Sequence, residues 1–222
     1  MRRTRKRIVL PRVEIARSRR CRYRHVVADG EFSCKWRHPI VIEDDLHIAY
    51  VDIETSNLDA NFGQIHSYAI KPQGQAKVIS RAITARTLVA EKELLKNFLE
   101  DIKPYNCWVT YYGTEFDIKF LRTRCMYHGI DFPGYGAAIH VDLYYVARGR
   151  MKLSSNRLQT VAEFLGIEGK TPLRGEIWVK AALGDRESLG YILDHNIEDV
   201  KVLERVHMRL EPFMKSIVRR SI

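Results

Sequence analysis

The order of its segments constrains this chain most. Three stretches with strand character come first: 47–53, 64–71 (QIHSYAIK) and 76–83 (AKVISRAI). Helix and strand then alternate. A helix is predicted at about 89–102, stopped by Pro104, and a strand at 107–112 (CWVTYY). A turn at Gly113-Thr114 opens a helix at about 116–128, and a short strand comes next at 138–144 (AIHVDLY). More helices complete the chain, the last from about 186 to 209 with Pro212 just beyond it. Early strands succeeded by alternation predict an α/β layered sheet with helices on its faces. The 222 residues suit one such domain with a small appendage.

The appendage is expected at residues 1–45, with the folded domain at 46–222. Residues 1–24 hold eleven Lys or Arg and one acid, Glu14, a net +10; the other 198 residues hold 26 charges of each sign. The formal excess of +10 therefore sits in residues 1–24 of this arm. Such an arm attracts polyphosphate, because neutralising phosphates releases counterions; the plainer reading is a solvated tail. No apolar run reaches the length of a membrane span, and the start lacks the apolar core of a signal peptide. Its basic, acid-poor character also fits an organelle transit segment. Four cysteines without a secretion signal point to a reducing compartment, so a cytoplasmic protein without membrane contact is expected.

The first strand ends unusually. HIAYV runs straight into Asp52 and Glu54. Alternate strand residues share a face, so Tyr50, Asp52 and Glu54 point one way and Val51 and Ile53 the other. Two carboxylates about 7 Å apart along a strand suit a pair of divalent ions; a strand that has reached solvent gives the same pattern. On the last helix, Asp199 lies about 20° from both Ile192 and Val206, which puts it on the apolar stripe. Asp194 and Glu198 fall off that stripe and are expected to face solvent. His195 stands one turn before Asp199 on the same face. An inward acid needs a partner: a metal ion, or simply His195. Asp117 lies in the first turn of its helix, anchored by Phe116, Ile118, Phe120 and Leu121. It faces the same site or only complements the helix dipole; Glu115 lacks apolar anchoring.

DIET, YYGTEFDIKFL and HNIEDV, in this order, resemble the three motifs of the RNase H-like 3′–5′ exonucleases, the DEDD superfamily. The likeness covers about residues 47–210 and is nearest to the stand-alone relatives of the B-family DNA polymerase proofreading domain. It implies a mixed sheet of about five strands whose second strand is antiparallel to its neighbours. It also implies that Asp52, Glu54, Asp117 and Asp199 bind two magnesium or manganese ions. One branch of the superfamily has Tyr four residues before the last Asp, the other His five before; here His195 is four before, at the tyrosine position. Imidazole there is suited to take a proton from water at neutral pH. Tyr112 stands where the motif usually has Asn, and either stacks on a terminal base or packs on the sheet. Tyr112, Phe116 and Thr55 are the candidates for substrate contact. Asp142, in HVDLYYVAR, is expected to act as a helix cap or as a supporting acid.

In the arm, Cys21, His25, Cys34 and His38 form C-x3-H-x8-C-x3-H around Asp29-Gly30. Asp-Gly is a hairpin signal, and the two pairs could meet at one tetrahedral zinc ion; incidental placement in a loose basic segment is the alternative. Cys107 and Cys125 are expected to be ordinary buried cysteines. The function expected is metal-dependent 3′–5′ exonuclease action on single-stranded nucleic acid, DNA favoured. A non-catalytic nucleic-acid-binding module and an endonuclease on the same fold are the alternatives.

Overall fold

The structure, a computed structural model, describes residues 26–28, 31–33, 46–134, 136–169, 175–214 and 220–221. The chain divides into two compact units, Met1–Ile40 and Val41–Ile222. In the first, β1 (Val26–Ala28) pairs antiparallel with β2 (Glu31–Ser33), and Ala28 stands opposite Glu31. The strands thus flank the two-residue Asp29-Gly30 connection that signalled a hairpin. Cys21, His25, Cys34 and His38 lie outside the described residues.

The second unit is built on β3 (Ile48–Thr55), β4 (Ile65–Pro72), β5 (Ile79–Ala82), β6 (Cys107–Thr110), β7 (Ile139–Asp142) and β8 (Arg220–Ser221). Its helices are α1 (Leu88–Ile102), α2 (Asp117–His128), α3 (Leu143–Arg150), α4 (Leu158–Phe164), α5 (Gly175–Ala182) and α6 (Arg186–Leu210). The sheet order is β5-β4-β3-β6-β7-β8. Strands β3, β6 and β7 are parallel, while β4 runs antiparallel to both β3 and β5. The expected mixed sheet is present, with β8 added as a two-residue edge antiparallel to β7. A strand that short carries no readable alternation. Among the described residues no helix is long and apolar enough to cross a membrane.

The two faces of the sheet bury separate cores. Ala49, Val51 and Ile53 of β3 pack with Leu94, Leu95 and Phe98 of α1 and with Phe120 and Leu121 of α2. Tyr50 packs on the other face with Val146 of α3, Val161 of α4 and Val202, Leu203 and Val206 of α6. Burial on both sides explains why every residue of β4 is buried, including Lys71, whose ammonium pairs with Glu204 and donates to the Gln75 carbonyl at 2.7 Å. Phe98 stands edge-on to Tyr68 and to Trp108, at 5.3 and 6.0 Å between centroids. Pairs of this kind contribute roughly 0.5–1.5 kcal/mol beyond their burial. Cys107 and Cys125 are buried and in no disulfide, as expected.

Two irregularities fall at the acidic end of β3. Pairing of β3 with β4 slips by one residue between Glu54 and Thr55, where Glu54 faces Ser67 and Thr55 faces Ile65. And β3 outruns β6: their register covers only Ile48–Tyr50 against Cys107–Val109. Among the described residues one edge of β3 has no strand partner beyond Tyr50, so its amides need other acceptors.

Candidate active site

The gap beside β3 is filled from α2. The Ile53 amide donates to Asp117 Oδ1 at 3.1 Å. Asp117 is buried, whereas Glu115 is exposed and pairs with Lys119, so the inward acid is the expected one. Burial pushes the Asp117 carboxyl up to about 7; amide hydrogen bonds oppose this, and nearby Asp142 adds to it. Among the described residues no cationic side chain pairs with it.

The same face of β3 meets α6 through three successive alternate residues. Tyr50 Oη shares a 2.9 Å hydrogen bond with His207 Nδ1. Asp52 Oδ2 accepts from Asn196 Nδ2 at 3.2 Å. Glu54 Oε1 lies 3.9 Å from His195 Nε2, and the same nitrogen lies 3.6 Å from Asp199 Oδ2. His195 therefore sits between an acid of the strand and an acid of its own helix. Asp199 is buried and Asp194 is exposed, in line with the helical stripe. Asn196, fully buried, was not singled out from the sequence. The signal was there: it lies about 40° from Ile192 and 20° from Leu203, a polar residue on an apolar stripe.

The turn into α2 is held by Asp142. Its Oδ1 accepts from the Tyr112 amide at 2.8 Å and the Tyr144 amide at 3.1 Å; its Oδ2 accepts from the Thr114 amide at 2.9 Å. One carboxylate thus caps α3 and fixes the turn. That turn ends β6 at Thr110, two residues earlier than the sequence pattern, because Tyr112 takes a left-handed φ of 66°. Gly113 packs so closely on Thr110 that a methyl group there would collide with its side chain. Tyr112 is 45% exposed, its ring 4.7 Å from that of Tyr144. Phe116 is half-buried against Phe120, and Thr55 is buried with its hydroxyl donating to the Asn57 carbonyl at 2.8 Å.

Carboxylates from one strand and two helices are a hard, oxygen-rich donor set of the kind that suits magnesium or manganese, with an imidazole beside them. In chemistry these residues fit such ions. Among the described residues, however, no group of three or more His, Cys, Asp or Glu is drawn close enough to form a metal cluster.

The profile of the RNase H superfamily matches residues 49–211. A DNA polymerase of Thermococcus hydrothermalis is 26% identical over 83% of this chain and 13% of its own length. A DNA polymerase of Methanocaldococcus jannaschii is 32% identical over 35% of this chain and 6% of its own. The chain spans at most a fifth of the length of such relatives. Among solved structures, the family B DNA polymerase of Pyrobaculum calidifontis superposes with a TM-score of 0.63 at 19% identity, over 76% of this chain and 25% of that one, a likeness of fold. With the profile spanning all three motifs and the mixed sheet in place, the chain belongs to the RNase H superfamily.

Proposed function

We propose that this chain is a metal-dependent 3′–5′ exonuclease that hydrolyses phosphodiester bonds at the 3′ end of single-stranded nucleic acid, DNA favoured. The observation that carries the reading is the meeting of β3, α2 and α6 at one end of the sheet, with His195 Nε2 within 4 Å of both Glu54 and Asp199. Asp52, Glu54, Asp117 and Asp199 would hold two divalent cations. Ions bound there supply activation of water and stabilisation of the departing 3′ oxygen.

The chain's own residues do the rest. The strand and helices hold the acids rigidly, so little reorganisation is needed when substrate arrives. Asn196 holds one oxygen of Asp52 in place. His195 takes the proton of the attacking water at Nε2. The basic arm adds affinity without chemistry. A zinc ion on Cys21, His25, Cys34 and His38 would brace the arm, and elemental analysis of the purified protein tests that part alone.

The test is incubation with 3′- and 5′-labelled single- and double-stranded DNA and RNA, with Mg²⁺, Mn²⁺ or EDTA. Stepwise release of mononucleotides from the 3′ end, lost in EDTA, is expected. Internal cuts would reassign the chain as an endonuclease, and full activity in EDTA would sink the metal-dependent reading. His195→Ala should slow turnover by roughly 10²–10⁴, the usual size of a general-base contribution.

A further inference from the structure

Although residues 25–222 carry no net charge, cations are not spread evenly there. Residues 143–162 (LYYVARGRMKLSSNRLQTVA) hold Arg148, Arg150, Lys152 and Arg157 and no acid. All four are exposed, and among the described residues none forms an ion pair. The acids at either end of the stretch are already engaged. Asp142 is buried on three amides, and Glu163 accepts from Gln159 at 2.8 Å.

This cationic stretch adjoins a group of tyrosines. Tyr144 is the hub: its ring lies 4.7 Å from Tyr112, 6.1 Å from Tyr111 and 5.2 Å from Tyr145, in each case edge-on. Tyr111 Oη donates to the Asn156 carbonyl at 2.7 Å, which ties the loop of Lys152 and Arg157 to the tyrosines. Asp142 bonds the amides of both Tyr112 and Tyr144, so the two rings are set by one carboxylate. Tyr112 stands five residues before Asp117, in the turn that opens α2. It holds a left-handed backbone that costs a non-glycine residue about 1 kcal/mol or more, while leaving nearly half its surface in solvent. Packing alone does not account for a strained, exposed aromatic.

We infer that the face carrying Tyr112, Tyr144, Arg148, Lys152 and Arg157 is the path of a single nucleic-acid strand leading to the candidate site. The inference rests on the nuclease reading for its direction along the strand, but not for its binding chemistry. Bases stack on tyrosine faces whatever their identity, and the cations neutralise successive phosphates. A duplex hides its base faces, so the aromatic part selects single strands. An acidic peptide would use the cations alone and leave the tyrosines idle.

The test uses the full chain in EDTA, so that binding is read apart from turnover. A short oligodeoxythymidine with a 5′ fluorophore is titrated by anisotropy over a series of salt concentrations. Changing Arg148, Lys152 and Arg157 together to Ala should reduce the salt slope by about 2, as expected for three lost contacts to a single strand. Tyr112→Ala should weaken binding roughly tenfold or more with the slope unchanged, and Tyr112→Phe should restore it. An unchanged slope in the triple variant, or equal binding by the Ala and Phe variants, would overturn the path. So would competition by polyglutamate that depends on the cations while Tyr112 is irrelevant. A protein that shows both dependences yet cleaves nothing with Mg²⁺ or Mn²⁺ would sink the nuclease reading and leave the path standing. One that cleaves, with variants that bind unchanged, would do the reverse.

Discussion

Glu91 and Asp117 are both buried carboxylates in the first turn of a helix, and they have opposite fates. Glu91 is fully buried on α1. Burial alone would raise its carboxyl, but hydrogen bonds outweigh burial and hold it below its ordinary value. Arg124 Nε donates to it at 2.8 Å, His128 Nε2 bonds it at 2.8 Å, and the Ile65 amide donates at 3.1 Å. Arg124 also reaches the Ala60 carbonyl at 3.0 Å, so the cluster clamps α1, α2, β4 and the loop after β3. Asp117 has amide donors and, among the described residues, no cation, and its carboxyl is pushed up. One acid is spent on architecture. The other is held by amides, with no cationic side chain against it among the described residues.

The sharpest way to break this comparison is Asp117→Asn. The amide oxygen still accepts from Ile53, so the fold should persist, with a melting temperature unchanged or a few degrees higher. Nuclease turnover should fall to background. A large loss of stability would show that Asp117 is as structural as Glu91.

Arg124→Met attacks the other acid. It strands a buried carboxylate, and breaking such a pair costs about 3–5 kcal/mol, on the order of 10 °C in melting temperature for a chain this size. Adding Glu91→Leu should recover much of the loss, because the orphaned charge is gone. No recovery would mean that the cluster works by shape rather than by charge.

Acid should sharpen the contrast further. Beside Glu91, His66 is buried on β4 and pushed down to about 4, mainly by burial and then by Arg86, with Glu91 opposing. Between pH 6.5 and 4 the unfolded chain binds a proton on His66 that the folded chain refuses. Its contribution is therefore complete above about 6.5 and lost as pH falls towards 4, about 3 kcal/mol in all. His207, also lowered by burial, acts in the same direction. Denaturant melts from pH 7 to 4 should show the decline, and His66→Phe should flatten it.

The smallest effect tests how far the clamp depends on its helix. Thr87 caps α1 by accepting from the Ala90 amide at 3.1 Å. Thr87→Ala should cost about 1 kcal/mol and leave activity per folded molecule unchanged.

Much of this was legible in the residues. The apolar stripe of α6 turned Asp199 inward and Asp194 outward, and the anchors around Asp117 separated it from Glu115. The same angular reasoning applies to Glu91, which lies about 20° from Phe98 on the stripe of α1. What the stripe could not supply was its partner: Arg124 is on another helix, 33 residues away in sequence. Tyr111 and Tyr112 have strand-forming side chains, yet leave β6 because Asp142 captures the Tyr112 amide, a tertiary contact overriding local preference. The cations of 143–162 were hidden by a neutral total, since charge summed over a long segment says nothing of where each sign stands.

The slip between β3 and β4 after Glu54 has an evolutionary consequence. Ahead of it, each residue from Ala49 to Glu54 is committed to one face by its partner on β4. A single inherited insertion between Ile48 and Glu54 would therefore exchange the faces of the residues around it. Val51 and Ile53 would be turned toward α6, and Asp52 and Glu54 driven into the apolar layer beneath α1 and α2. Descendants of this chain are free to change letters at many positions, but a change of length in this strand has to be absorbed as a bulge, as the slip after Glu54 already is.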